Sequence, residues 1–207
     1  MSSAQDVRGV PNTPPDYGPA YLVGERGGEH GIPDQLIERW QEMVDLMSRI
    51  VGVPAGLVMR VMEQSIEVFV SGTSKENPYQ AGHREPWVDS GLYCEEVLKT
   101  GKVLLVPDAR VDTAWESNPD IKLGMISYLG FPIHWPDNRP FGTLCVLDRV
   151  PREFTEDQMG LIRQFRDLME SNLAAVDEHA RAMQTEAELF LHRERLALAT
   201  QASGQGV

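Results

Sequence analysis

Residues 125–148, MISYLGFPIHWPDNRPFGTLCVLD, decide the fold. Two runs of aromatic and branched apolar residues flank Pro136-Asp137-Asn138-Arg139-Pro140, a cluster that reads as a hairpin turn between antiparallel strands. The second run, Phe141–Asp148, is apolar on both faces, so it is expected in the middle of a sheet, covered above and below. Alternation puts Tyr128 on one face with Ile126, Gly130 and Pro132. On the next strand it puts Phe141, Thr143, Cys145 and Leu147 on a common face.

Working toward the N-terminus, KVLLVPD is a third strand that stops at Pro107, because proline has no donor for a ladder. Residues 89–99, DSGLYCEEVLK, predict a short helix ended by Gly101. GLVMRVMEQ and SIEVFVSG predict a hairpin with its turn near Glu63 to Ser65. The polar stretch between that hairpin and the short helix, residues 71–87, reads as a loop and is the expected mobile lid. From Pro33, PDQLIERWQEMVDLMSRIVG has apolar residues at helical spacing, with Gly52 just past its end. Residues 1–32, rich in proline and glycine and without an amphipathic period, read as a flexible leader.

Toward the C-terminus, Thr155-Glu156-Asp157-Gln158 fits a capping box opening a very long helix. Its apolar stripe, Ile162, Phe165, Met169, Leu173, Val176, Ala180, Met183, Ala187 and Phe190, keeps spacings of three and four beyond the reach of any compact domain. Such a seam wants a partner helix, and a homodimeric coiled coil is favoured over a half-packed, half-solvated linker. Helix, two strands, short helix, strand, two strands and helix make an α+β fold rather than alternating βαβ units.

Composition narrows the function. The 207 residues are 42% hydrophobic and 24% charged, enough for one core with appendages. A formal net charge of −12 argues against nucleic acid or anionic membrane as a partner. No apolar run approaches the ~18 residues that cross a bilayer, and no secretion signal opens the chain, so the cytoplasm is the expected location. The two cysteines, Cys94 and Cys145, form no Cys-x-x-Cys pair. No catalytic triad, paired acids or phosphate-cradling loop is recognisable, and the chain is not expected to be an enzyme.

NPY, SGLYCEEVLKTGKVLLVPDA, NPDIKLGMISYLGFPI, WPD and FGTLCVLD occur in that order, and together they resemble the sensory GAF domain over about residues 33–178. The resemblance implies an antiparallel sheet of five or six strands, helices on one face, and a small-molecule pocket on the other roofed by loops and the short helix. It also implies dimerisation through flanking helices and a regulatory role over an output module. Residues 179–194 would then be a signalling helix or coiled-coil linker. The last stretch, ERLALATQASGQGV, resembles the opening of a PAS domain, so residues 195–207 are expected to begin a truncated PAS domain ahead of a histidine kinase or diguanylate cyclase output.

Within that frame, the pocket candidates are Tyr93, Cys94, Trp115, Tyr128 and Cys145. The aromatics combine apolar bodies with polar tips, which suits a mostly apolar cleft with a few hydrogen bonds, although plain core packing explains them equally well. The cysteines read as small wall residues rather than nucleophiles, since Glu95 and Glu96 beside Cys94 should raise its thiol pKa. Asp108, Asp112 and Asp120 could hold a cation or an amine, but capping of local amides is favoured. Bilin attachment lacks its signature. Haem would rest on a lone His83 or His134, so the sequence supports no cofactor and the ligand stays unknown. The competing readings are a ligand-free dimerisation module and, behind it, a free methionine sulfoxide reductase or thiol redox sensor.

Overall fold

The computed structural model describes residues 32–204. The expected leader, apart from Ile32, lies outside the described residues. Ile32 itself packs into the core.

Helix α1 (Asp34–Val51) buries Trp40, Val44, Met47 and Val51, one stripe at spacings of three and four. Gly52, at φ 74°, ends it in the left-handed conformation that glycine adopts without strain. Strands β1 (Ala55–Val61) and β2 (Ser65–Ser71) form the expected hairpin. The polar stretch after β2 contains a short strand, β3 (Arg84–Pro86), that pairs with β2. Helix α2 (Tyr93–Thr100) begins later than its sequence suggests. Asp89 and Gly91 both have positive φ, and the Glu95 carboxylate holds the Asp89 and Gly91 amides at 2.6 and 2.8 Å, organising residues 89–91 as a loop.

Strands β4 (Leu104–Val106), β5 (Ser127–His134) and β6 (Pro140–Asp148) complete a six-stranded sheet of order β3-β2-β1-β6-β5-β4, in which every pairing is antiparallel. FGTLCVLD is therefore a central strand between β1 and β5. The two edges are three residues long each, too short to template further pairing.

Helix α3 (Glu156–Gly204) opens with the expected capping box: the Gln158 amide donates to Thr155 Oγ1 at 3.2 Å, and the Thr155 amide to Gln158 Oε1 at 3.0 Å. The stretch that resembles a PAS opening continues this helix to Gly204, and residues 205–207 lie outside the described residues.

The sheet has a core on each face. One holds α1 and the first part of α3 against Val58, Val70, Leu129, Phe131, Ile133, Leu144 and Val146. Trp40 Nε1 donates to Asn172 Oδ1 at 3.1 Å and ties the two helices together. The opposite core packs Tyr93, Cys94, Val97 and Leu98 of α2 over Leu57, Tyr128, Cys145 and Leu147.

Strict alternation fails at Phe141. Ile133 pairs with Gly142 but His134 with Pro140, so Phe141 is the extra residue of a bulge and turns to the helix face. A second bulge, where Val58 pairs with Val70 and Met59 with Val68, does the same for Phe69. The two rings meet edge-on at 5.8 Å and both pack on Trp40. The face of β6 opposite the helices therefore carries Thr143, Cys145 and Leu147 without Phe141.

Candidate functional site

A cavity of about 480 Å³ lies on the sheet face away from α1 and α3. Its floor is Leu57 and Met59 of β1, Ile66 and Val68 of β2, Tyr128 of β5, and Cys145 and Leu147 of β6. The roof is the polar stretch after β2, through Pro78, Tyr79, Gln80, His83 and Glu85. Leu92 and Cys94 close one side, and the 3₁₀ turn Pro119–Leu123 closes another with Pro119, Asp120, Lys122 and Leu123. Volume and lining fall in the ordinary range for small-molecule sites.

The roof is anchored rather than loose. Asn77 donates to Ser71 Oγ and the Gly72 carbonyl at 2.9 and 2.7 Å, Ser71 Oγ donates to the Tyr79 carbonyl at 2.8 Å, and the Gly82 amide reaches the Val68 carbonyl at 2.8 Å. Asn77 thus sets the path of the chain while Pro78 and Tyr79 face the cavity, which explains NPY physically.

Of the five pocket candidates, Cys94, Tyr128 and Cys145 line the cavity. Tyr93 and Trp115 stand behind that wall. The Tyr93 ring stacks on Tyr128 at 4.8 Å and leans on Trp115 at 5.1 Å, and its hydroxyl donates to the Met125 carbonyl at 3.4 Å. Tyr93, backed by Trp115, holds the Tyr128 ring from the side away from the cavity. Tyr128 lies flat along its strand because the next residue on its face is glycine: a Cβ on Gly130 would sit 2.0 Å from the Tyr128 hydroxyl. Burial raises the pKa of Tyr128, and of Tyr93, so both stay neutral hydrogen-bonding groups.

The thiols are neighbours across the α2–β6 contact, and the Thr143 hydroxyl donates to Cys94 Sγ at 3.4 Å with the Tyr128 hydroxyl 3.5 Å away. Contrary to the expectation from Glu95 and Glu96, the Cys94 thiol is lowered, chiefly by the adjacent Cys145 thiol and then by Thr143 and Tyr128, while Cys145 is raised by the same contact. Glu95 does not act on the thiol as a bare charge. Burial pushes its carboxyl up, but Lys99 at 2.6 Å and the loop amides outweigh that and hold it below the ordinary range.

The aspartates divide. Asp108 accepts from the Arg110 amide at 3.0 Å and Asp112 from the Ala114 amide at 3.0 Å, the expected local caps. Asp120 differs. Asn118 takes the capping role, accepting from the Asp120 amide at 2.8 Å, with Pro119 in the first turn. The Asp120 side chain is left to face the cavity, where Oδ1 accepts from the Tyr79 hydroxyl at 2.7 Å. It is only 7% exposed. Burial, reinforced by the charge of Glu85, pushes its carboxyl up to about 6 despite the Tyr79 hydrogen bond. The order Asn-Pro-Asp held the clue, since asparagine before proline is the better cap and leaves the aspartate unused.

The histidines separate similarly. His134 lies at the helix face, its ring 3.2 Å from Glu170, whereas His83 lines the cavity beside Glu85 at 3.2 Å. Among the described residues no group of three or more His, Cys, Asp or Glu side chains is placed to hold a metal ion. No helix among them is long and apolar enough to cross a membrane.

The GAF domain family matches residues 35–173, and the chain belongs to that family. Solved structures share the fold at low identity. The phycoerythrobilin-bound GAF domain from a cyanobacterial phytochrome is 15% identical over 70% of this chain and 88% of its own, with a TM-score of 0.60. The GAF domain from Acinetobacter phosphoenolpyruvate-protein phosphotransferase is 19% identical over 72% of this chain and 86% of its own, at 0.54. Free methionine-R-sulfoxide reductase from Neisseria meningitidis, in complex with its substrate, is 13% identical over 75% and 85%, at 0.56. No curated protein matches the sequence.

Proposed function

We propose that this chain is a sensory domain that holds a small organic molecule in the cavity and passes its presence to α3. The observation that carries this reading is the position of the cavity on β5. Tyr128 faces the cavity, while Phe131 and Ile133 of the same strand pack in the core shared with Met169 and Leu173 of α3. The His134 amide extends that contact by donating to Glu170 Oε1 at 2.9 Å. Any shift of β5 on ligand binding is therefore felt directly by the helix. A ligand moves such an equilibrium only by its differential affinity for two states, and about 5.5 kcal/mol gives a near-complete switch.

The far end of α3 is the output. Ile162, Met169 and Leu173 are consumed by the domain's own core, so a partner helix can use the stripe only from about Val176 onward. There Met183 and Phe190 are 56% and 61% exposed. We read this as the homodimer seam, leading to a downstream histidine kinase or diguanylate cyclase in the cytoplasm, with no catalysis by the chain itself. A thermal-shift screen of metabolites tests the ligand reading, because a true ligand raises the melting temperature with concentration. A flat response across chemically diverse compounds that fit the cavity would favour a purely structural dimerisation module.

A second reading, thiol sensing, rests on Cys94 and Cys145 being neighbours on the cavity wall. Hydrogen peroxide would oxidise the pair to a disulfide, two thiols losing two protons and two electrons as peroxide is reduced to two waters. Intact mass after peroxide treatment, lower by two hydrogens per chain, tests it.

A further inference from the structure

We infer that the cavity is built for an organic cation, a protonated amine on an apolar body, with Asp120 as its counter-ion. This rests on the cavity being a ligand site, as proposed above. Asp120 is buried in a mostly apolar enclosure, and a carboxylate there is costly unless it is paired. Its Oδ1 has the Tyr79 hydroxyl, but among the described residues no hydrogen bond or ion pair reaches Oδ2. An N⁺–H donor from within the cavity would supply the missing partner at charge-assisted strength.

The surrounding charges leave Asp120 the dominant charge of the site. Glu85, also lining the cavity but half-exposed and 3.2 Å from His83, adds only a screened negative charge near Asp120. Lys122 is the fixed cation of the lining, but it is exposed to solvent and neutralises the buried carboxylate far less than a bound ammonium would. Leu57, Ile66, Val68 and Leu147 offer no polar partners and would receive the body of the molecule. A divalent metal ion would want several oxygen ligands, and no three-carboxylate or mixed metal-binding group exists among the described residues.

The test compares 2-phenylethylamine, cationic at pH 7.5, with its neutral analogue 2-phenylethanol, binding each to the full chain and to Asp120→Asn by calorimetry. Asparagine keeps the shape and the acceptor for Tyr79 while removing the charge. The expected result is amine binding to the wild type at least about tenfold tighter than alcohol binding, the scale of one charged hydrogen bond, with the preference lost in Asp120→Asn. Equal binding of the two probes to the wild type, or an amine preference that survives Asp120→Asn, overturns the cation inference while leaving the cavity as a ligand site. If neither probe binds either protein, the cation inference falls, while the cavity reading is decided separately by the thermal-shift screen of diverse compounds. The wild-type comparison stands without the variant.

Discussion

Asp120→Asn should stabilise this domain at neutral pH, although it removes the group assigned to ligand recognition. Aspartate ordinarily titrates near 3.8, and in the fold Asp120 is pushed up to about 6. A folded value above the unfolded one means that the native state binds the proton more tightly. The stabilising contribution is then complete below about pH 4 and is lost as pH rises through about 6. At pH 7 the gap corresponds to roughly 3 kcal/mol of strain carried by the ionised side chain. The asparagine carries none of it and still accepts from Tyr79. Urea unfolding of both proteins from pH 4 to 7, followed by circular dichroism, should show no advantage for the variant at pH 4, a rising one between 4 and 6, and a plateau near 3 kcal/mol. On a domain of this size that is roughly 6 to 12 °C in Tm. Glu85, His83, Lys122, Tyr79, Tyr93, Tyr128, Cys94 and Cys145 also surround the site and are present in both proteins, so the difference reports the Asp120 charge together with its coupling to them. A pH-independent difference, or a less stable variant at pH 7, would refute the reasoning that Asp120 is a buried, under-compensated charge.

Four further outcomes follow from the geometry. Gly130→Ala should cost about 1–3 kcal/mol by overpacking and should weaken 2-phenylethylamine binding, because the new Cβ drives the Tyr128 ring into the cavity; urea unfolding and calorimetry check both. Arg152→Met should cost about 1–3 kcal/mol in urea unfolding, since it takes the ion-pair partner from the buried Asp148 carboxylate, leaving it the Arg149 and Val150 amides, and removes a donor from the Val51 and Gly52 carbonyls at the end of α1. Ala180→Glu with Met183→Glu should convert a dimer into a monomer by light scattering while the far-UV circular dichroism of the folded domain is kept, as both positions lie beyond the residues of α3 packed in the core. Under limiting iodoacetamide, peptide mass spectrometry should find Cys94 modified before Cys145, because Cys94 is 8% exposed against 0%.

What the sequence made legible was set by periodicity and by local stops. The stripe of α1, the Thr155 capping box and the double-sided apolarity of Phe141–Asp148 each followed from spacing alone, and the order of motifs placed the cavity opposite the helices. Three features depended on contacts distant in sequence. Alternation misassigned Phe141 because a bulge is a property of two strands and leaves no mark in one. Tyr93 and Trp115 have the composition of pocket residues, yet which side of Tyr128 they occupy depends on how α2 seats on the sheet. Asp120 becomes unusual only when Tyr79, from a segment 41 residues away, closes over it.

The central claim is that occupancy of the cavity reaches α3 through β5. Hydrogen–deuterium exchange of the full chain, with and without saturating 2-phenylethylamine, tests it directly. Added protection is predicted at the roof, residues 78–85, and at the side wall, residues 119–123, together with a change in exchange along α3 from 165 to 176 where it packs on β5. Protection confined to the roof and side wall, with α3 unchanged, would contradict the transmission of the ligand's presence to the helix.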